Sequence, residues 1–317
     1  VDPGPLQISS PLEKKSSLNV RNTFSMIKSN FMGVICASFF LACGGGSGDD
    51  SSLDSATDSA ATINDWADAP AYSGGDCPVL EDGVNKKFMV DGVERKFRLV
   101  LPDDPIGAPV IFAWHWLGGS AQQVVNYMDY EDLVAEHGMI VVAPSSDGSA
   151  YEWHSTDLPT NNVDLIFFDD MVACLYDQYQ IDPDRIHATG MSAGGIWTTY
   201  LTVYRSNILA STAPLSGGVY TRDYVTPERS LPVMVTWGGP EDTYGSFNFE
   251  TASLAFSEKL REDGSFVVEC VHTGAHTLPA GASEFTWQFF KDHPYGVDPE
   301  PYLDGLPSSL PDYCYLP

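Results

Sequence analysis

Gly190-Met191-Ser192-Ala193-Gly194-Gly195 constrains this chain more than any other stretch. It is a G-x-S-x-G motif. A short β-type run, Arg185 to Thr189, precedes it after the turn signal Asp182-Pro183-Asp184, and Ile196 to Leu209 follows with apolar residues at helical spacing. Strand, sharp turn and helix form the setting in which a serine hydroxyl is held out on a strained elbow as a nucleophile. Small neighbours let strand and helix approach each other. The plainer alternative is a Gly-rich turn whose serine only caps the helix.

Around the motif, strands and helices alternate, the signature of a mostly parallel sheet covered by helices on both faces. Lys87 to Val90 and Lys96 to Leu101 alternate about Asp91-Gly92 and predict an opening hairpin. Pro109 to Trp114 and Met139 to Ala143 are continuous apolar runs, as expected of strands buried on both faces. Helices are expected over Ala121 to His137, Val163 to Tyr179, Thr251 to Glu262 and Ser283 to Asp292. Further strands are expected at Ala210 to Leu215, Leu231 to Trp237 and Phe266 to Val271, and an irregular tail from Pro294.

In such sheets ligands bind beyond the C-terminal strand ends. Three of those ends carry Ser192, Asp242 and His276 in that chain order. A serine hydroxyl attacks poorly until a neutral imidazole takes its proton, and a carboxylate fixes that imidazole's tautomer. His276 lies in the small-residue loop Gly274 to Thr277, whereas its rival His272 belongs to the preceding strand. Asp242 is preferred to the adjacent Glu241 as the acid. The oxyanion hole needs two backbone N–H donors. Ala193 is one; the other comes from His115-Trp116-Leu117-Gly118-Gly119, with Leu117 favoured over Trp116. His115, Trp116, Trp153 and Trp197 are the candidate substrate-binding residues, against the alternative that each tryptophan packs in the core. No Cys/His grouping has metal-ligand spacing.

Ile181 to Gly195 resembles the D-x-x-R-[IV]-x-x-T-G-x-S-x-G-G block of a secreted α/β-hydrolase esterase family that holds polyhydroxybutyrate depolymerases, feruloyl esterases and acetylxylan esterases. Gly274-Ala275-His276-Thr277-Leu278-Pro279 is similar to that family's G-G-H-T-W-P loop, and Ala213-Pro214-Leu215-Ser216-Gly217-Gly218 to the strand after its elbow. Trp116 and Trp237 depart from the family pattern at the oxyanion loop and at the start of the acid loop. The resemblance implies an α/β-hydrolase fold and carboxylic ester hydrolysis through an acyl-enzyme, without a cofactor. A histidine base must be neutral, so activity should fall on the acid side of neutrality. A peptidase of the same fold and a non-catalytic surface lipoprotein are the competing readings.

Outside the catalytic region, residues 1–25 lack periodicity and read as disordered or as a non-native extension. Residues 26–42 read as a signal peptide: Lys28, then the apolar run Phe31 to Ala42, too short for a permanent span. Leu41-Ala42-Cys43-Gly44 resembles a lipobox, which would make Cys43 a lipidation site and attach the protein to a membrane. Residues 43–76 read as a flexible Gly/Ser/Asp tether and 77–317 as the catalytic domain. Export leaves four cysteines, expected as two disulfides, Cys77 with Cys314 and Cys174 with Cys270. The net charge of −27 becomes −29 once residues 1–42, with four basic and two acidic side chains, are removed. Such a charge excludes nucleic acid as a partner and suits an extracellular monomer acting on a polymeric or aromatic ester.

Overall fold

The computed structural model describes residues 69–317, which lie within one unit. The predicted signal peptide, Cys43 and most of the predicted tether lie outside the described residues. Two residues assigned to the tether do not behave as one. Tyr72 packs its ring on Phe88, and both the N–H and the hydroxyl of Ser73 donate to Asp170.

The chain runs β1 (Gly83–Val90), β2 (Val93–Val100), β3 (Val110–Trp114), α1 (Ala121–Tyr127), α2 (Tyr130–His137), β4 (Ile140–Pro144), α3 (Val163–Tyr179), β5 (Ile186–Met191), α4 (Ala193–Tyr204), β6 (Ser211–Leu215) and β7 (Val233–Trp237). A two-residue hairpin follows, β8 (Thr243–Tyr244) and β9 (Phe247–Asn248), then α5 (Phe249–Glu262), β10 (Val267–Val271), α6 (Ala282–Asp292) and β11 (Cys314–Tyr315). Nine strands form one sheet in the order β1-β2-β4-β3-β5-β6-β7-β10-β11. The six from β4 to β10 are parallel. The hairpin β1–β2 and the short β11 flank them antiparallel.

The chain leaves β3 toward β4 on one side and returns to β5 on the other. That reversal opens the crevice at the strand ends where ligands of such sheets bind. Successive strand side chains face opposite ways. Val110, Phe112 and Trp114 of β3 enter the layer built with α3, α4 and α5, which includes Phe167, Phe168, Trp197 and Phe256. Ile111 and Ala113 enter the layer built with α1, α2 and α6, which includes Val124, Leu133, Phe285 and Phe290.

Three expectations are corrected. The helix expected over Ala121 to His137 is two helices, because Asp129 takes a left-handed conformation (φ 46°) between them, a state a short polar side chain tolerates. The first strand begins earlier, at Gly83, with a register shift between Asn85 and Phe88. The disulfides pair Cys77 with Cys174 and Cys270 with Cys314. The reason is the sheet itself. Cys174 lies in the α3 layer with Cys77 packed against it, and Cys270 in the α6 layer with Cys314. Either expected pair would have had to cross the sheet.

Candidate active site

Ser192 connects β5 to α4 with φ 58° and ψ −117°, outside the regions favoured by L-residues and costing on the order of 1–3 kcal/mol. The surrounding structure holds it there. Its N–H donates to the Leu215 carbonyl of β6 at 3.0 Å, and its carbonyl accepts the first helical bond from Ile196 at 2.8 Å. A Cβ on Gly194 would lie 2.0 Å from the Trp114 carbonyl oxygen, so only glycine lets the helix start against the end of β3. The serine side chain makes no capping bond. The reading in which it merely caps the helix is thereby removed.

The Ser192 hydroxyl instead lies 2.9 Å from His276 Nε2. On the other side of the ring, Nδ1 lies 2.6 Å from Asp242 Oδ1. Asp242 is fully buried, and its Oδ2 accepts from the Gly238 N–H and from the Ser216 hydroxyl, each at 2.8 Å. With acceptor-only oxygens on the carboxylate, Nδ1 carries the proton and Nε2 presents a lone pair to the serine. Glu241, the alternative acid, is exposed. His272 is buried on β10's far end, with Nδ1 accepting from the Gly274 N–H, and burial lowers its pKa. The loops carrying Asp242 and His276 can meet because Gly238 has no side chain; a Cβ there would sit 1.8 Å from the Ala275 carbonyl oxygen. Phe249, the first residue of α5, stacks on the His276 ring at 4.4 Å.

A cleft of about 470 Å³ opens onto Ser192 and His276, walled by Trp116, Leu117, Tyr127, Met191, Tyr244, Thr277 and Leu278. Of the expected substrate-binding residues, Trp116 reaches it, as does Leu117, the expected oxyanion donor. His115, Trp153 and Trp197 do not. Trp197 is completely buried on the inner side of α4, edge-on to Trp114. Trp153 is 2% exposed, edge-on to Trp114 with its indole N–H donated to the His115 carbonyl. His115 lies beneath the cleft floor with Nδ1 donating to the Trp116 carbonyl at 2.9 Å, and burial lowers its pKa. Tyr127, Tyr244, Phe249 and Ser216 were not anticipated. Ser216 stood inside a quoted motif, and Tyr244 only two residues beyond Asp242; nothing in the sequence singled out Tyr127 or Phe249.

Ala193 follows Ser192 at the first position of α4, where its N–H has no partner within the helix. Among the described residues, one group of carboxylates and histidine is close enough to share a cation: Glu136, His137 and Glu284, all exposed, on α2 and α6. None is part of the serine site.

Known proteins share both sequence and fold with this chain. Residues 126–257 match the model of the prolyl oligopeptidase family, a stretch holding Ser192 and Asp242 but not His276. Feruloyl esterase D of Neurospora crassa is 29% identical over 167 residues, covering 48% of this chain and 55% of that protein. Oxidized polyvinyl alcohol hydrolase of a Pseudomonas species is 26% identical over 314 residues, covering 72% of this chain and 81% of that one. The crystal structure of native pOPH superposes with a TM-score of 0.64 at 22% identity, covering 76% of this chain and 97% of that one. The chain has the α/β-hydrolase fold and is similar in sequence to esterases and polymer hydrolases. It spans about half the length of the Neurospora esterase. Ser192, Asp242 and His276 of this chain follow β5, β7 and β10 at one end of the sheet. Among the described residues no helix is long and apolar enough to cross a membrane.

Proposed function

We propose that this α/β-hydrolase is a serine carboxylic-ester hydrolase that works through an acyl-enzyme, and that its substrate is a polymeric ester, either a polyhydroxybutyrate-type polyester or a feruloyl or acetyl ester of a polysaccharide. One observation carries the reading: the unbroken line of hydrogen bonds from Ser192 Oγ through His276 to buried Asp242. Ser192 Oγ attacks the ester carbonyl carbon while its proton passes to His276 Nε2. Asp242 holds the imidazole and stabilises the imidazolium so formed. The N–H groups of Ala193 and Leu117 receive the negative oxygen of the tetrahedral intermediate. As the intermediate collapses, the ester C–O bond breaks, and His276 returns the proton to the departing alcohol oxygen. Water then enters, gives a proton to His276 and attacks the acyl carbon, and the carboxylic acid leaves as Ser192 recovers its proton.

Leu117 fits the donor role better than the two residues that follow it, whose N–H groups are already engaged. The Gly118 N–H goes to Glu152 and the Gly119 N–H to the Trp116 carbonyl. The polymer reading rests on the cleft mouth, where Leu117, Tyr127 and Tyr244 are exposed beside Trp116. These rings and apolar side chains suit a neutral acyl chain or an aromatic acid. The strongly negative chain would repel an acidic one. The two disulfides suit an exported protein, in keeping with the signal peptide and Cys43 lipidation expected from residues 26–43.

The test is hydrolysis by the full chain beside Ser192→Ala. The substrates are short p-nitrophenyl esters, methyl ferulate, a polyhydroxybutyrate suspension and a p-nitroanilide peptide. Ester cleavage lost in Ser192→Ala supports the proposal, and clearing of the suspension or ferulate release selects between its two substrate classes. Cleavage of the anilide in preference to every ester would make the chain a peptidase. Inertness toward all four, with no labelling of Ser192 by a fluorophosphonate, would leave the binding-module reading.

A further inference from the structure

The loop that supplies Leu117 is held from outside itself. Trp116 and Leu117 share one peptide plane, so the direction of the Trp116 carbonyl fixes that of the Leu117 N–H, which points the opposite way. Two donors grip that carbonyl, His115 Nδ1 and the Gly119 N–H, each at 2.9 Å. The next peptide plane is fixed by Gly118, whose N–H donates to Glu152 Oε1 at 2.9 Å. The other carboxylate oxygen of Glu152 accepts from the Ser146 hydroxyl. The Ser146 N–H faces His115 Nε2 at 3.4 Å, which completes the choice of tautomer for the buried ring. The next residue, Trp153, holds the start of the same loop through the His115 carbonyl. Glu152 itself has φ 66°, a conformation that is unfavourable for glutamate unless its contacts sustain it. Three other non-glycine residues with positive φ are Ser192 itself, Ala275 beside His276, and Ser216, whose hydroxyl donates to Asp242.

We infer that Glu152 is a positioning residue for ester hydrolysis: its carboxylate holds the peptide plane after Leu117 through Gly118 and, through Ser146 and His115, supports the plane before it, so that the Leu117 N–H stays directed toward the developing oxyanion. The inference rests on the oxyanion assignment proposed above. Oxyanion donors act because they are oriented before charge develops, and removing one outright lowers turnover by about 10²- to 10³-fold. Loosening a donor without removing it costs less, about 10- to 100-fold here. The effect falls on the tetrahedral state, because the ground-state carbonyl gains little from the same donor.

The experiment compares the full chain with Glu152→Ala and Glu152→Gln, each normalised to active sites titrated with a fluorophosphonate. It measures kcat and kcat/KM for p-nitrophenyl butyrate and the inhibition constant of a trifluoromethyl ketone, which forms a tetrahedral adduct with serine. Glutamine can still accept from Gly118 through Oε1 and meet Ser146 through its amide nitrogen. The expected result is a 10- to 100-fold loss of kcat per site in Glu152→Ala. The ketone should weaken by the same factor as kcat/KM, and Glu152→Gln should keep more than a third of wild-type turnover. A purely architectural role would instead reduce the titratable sites or the melting temperature and leave turnover per site within about three-fold. That outcome overturns the inference, as does a Glu152→Gln loss equal to that of alanine. If wild-type Ser192 fails to label and turns over no ester, the serine-esterase reading itself has failed.

Discussion

Replacing Asp242 by asparagine changes one atom and leaves the shape of the site intact, yet it should nearly abolish turnover. Oδ2 of Asp242 accepts two hydrogen bonds, from the Gly238 N–H and the Ser216 hydroxyl. A backbone N–H can only donate, so the oxygen of an asparagine must occupy that position and its NH₂ group must face His276 Nδ1. The imidazole is then held with Nδ1 as acceptor and its proton on Nε2, aimed at Ser192 Oγ 2.9 Å away. A ring in that tautomer cannot take the serine proton. Reversing the amide restores the tautomer but sets NH₂ against the buried Gly238 N–H, at a cost of about 1–3 kcal/mol for the unsatisfied donors. In serine hydrolases the wrong tautomer lowers kcat by roughly 10⁴, about 5.5 kcal/mol of barrier. Stopped-flow release of p-nitrophenol at pH 7.5, with melting temperature as a control for folding, measures it. Glu241→Gln serves as the parallel variant and should keep turnover within about two-fold. Asp242→Asn retaining a tenth of wild-type kcat while Glu241→Gln is inactive would refute the reasoning and move the acid to Glu241.

Three further outcomes follow from the same structure. Ser216→Ala removes a hydroxyl donor from a buried carboxylate, a bond worth about 1.5–3 kcal/mol, and should lower kcat about ten-fold without shifting the wild-type substrate preference. His187, stacked on Phe290 in the core, has its pKa pushed down to about 3, first by burial and then by nearby Arg185. Since the unfolded chain takes this proton near pH 6.5 and the folded one does not, stability is full above pH 6.5 and is lost as pH falls toward 3. Urea titrations should show a loss of about 2.7 kcal/mol from this residue by pH 4.5, and His187→Asn should flatten the acid branch by one proton. Cys77→Ser with Cys174→Ser opens a loop of 97 residues, worth about 4.7 kcal/mol by chain entropy; guanidinium melts should register a loss of that order.

The elements of the proposed catalytic site were readable because each is announced within a few residues. Gly194 had to be glycine against the Trp114 carbonyl, and His276 stood in a loop of small residues at a strand end. The α3 boundaries came out as expected from apolar spacing alone. What failed depended on a direction in space that spacing does not encode. Trp197 lies five residues past Ser192, but 3.6 residues per turn carries it to the inner side of α4, against Trp114. Trp153 sits in a loop beside the site, yet its indole N–H finds the His115 carbonyl below the cleft. The disulfides were mispaired because four cysteines allow three connectivities, and only the sheet, with one pair on each face, decides among them. Phe249 was missed because its stacking on His276 joins the start of α5 to the loop after β10, 27 residues apart in sequence.

The short strand β11 has a bearing on solubility that its size conceals. Without it, β10 (VVECV), whose first four residues are buried, would be the rim of the sheet with a free row of backbone donors and acceptors. Such a rim invites pairing with a second molecule. Two residues, Cys314 and Tyr315, close it in antiparallel register with Glu269 and Cys270. The Cys270–Cys314 bond ties the closure in place, and Pro307 and Pro311 precede it in a segment poorly suited to extend the sheet further. Reduction of this bond would therefore be felt first as self-association of molecules whose catalytic loops are still in order, before any loss of the fold.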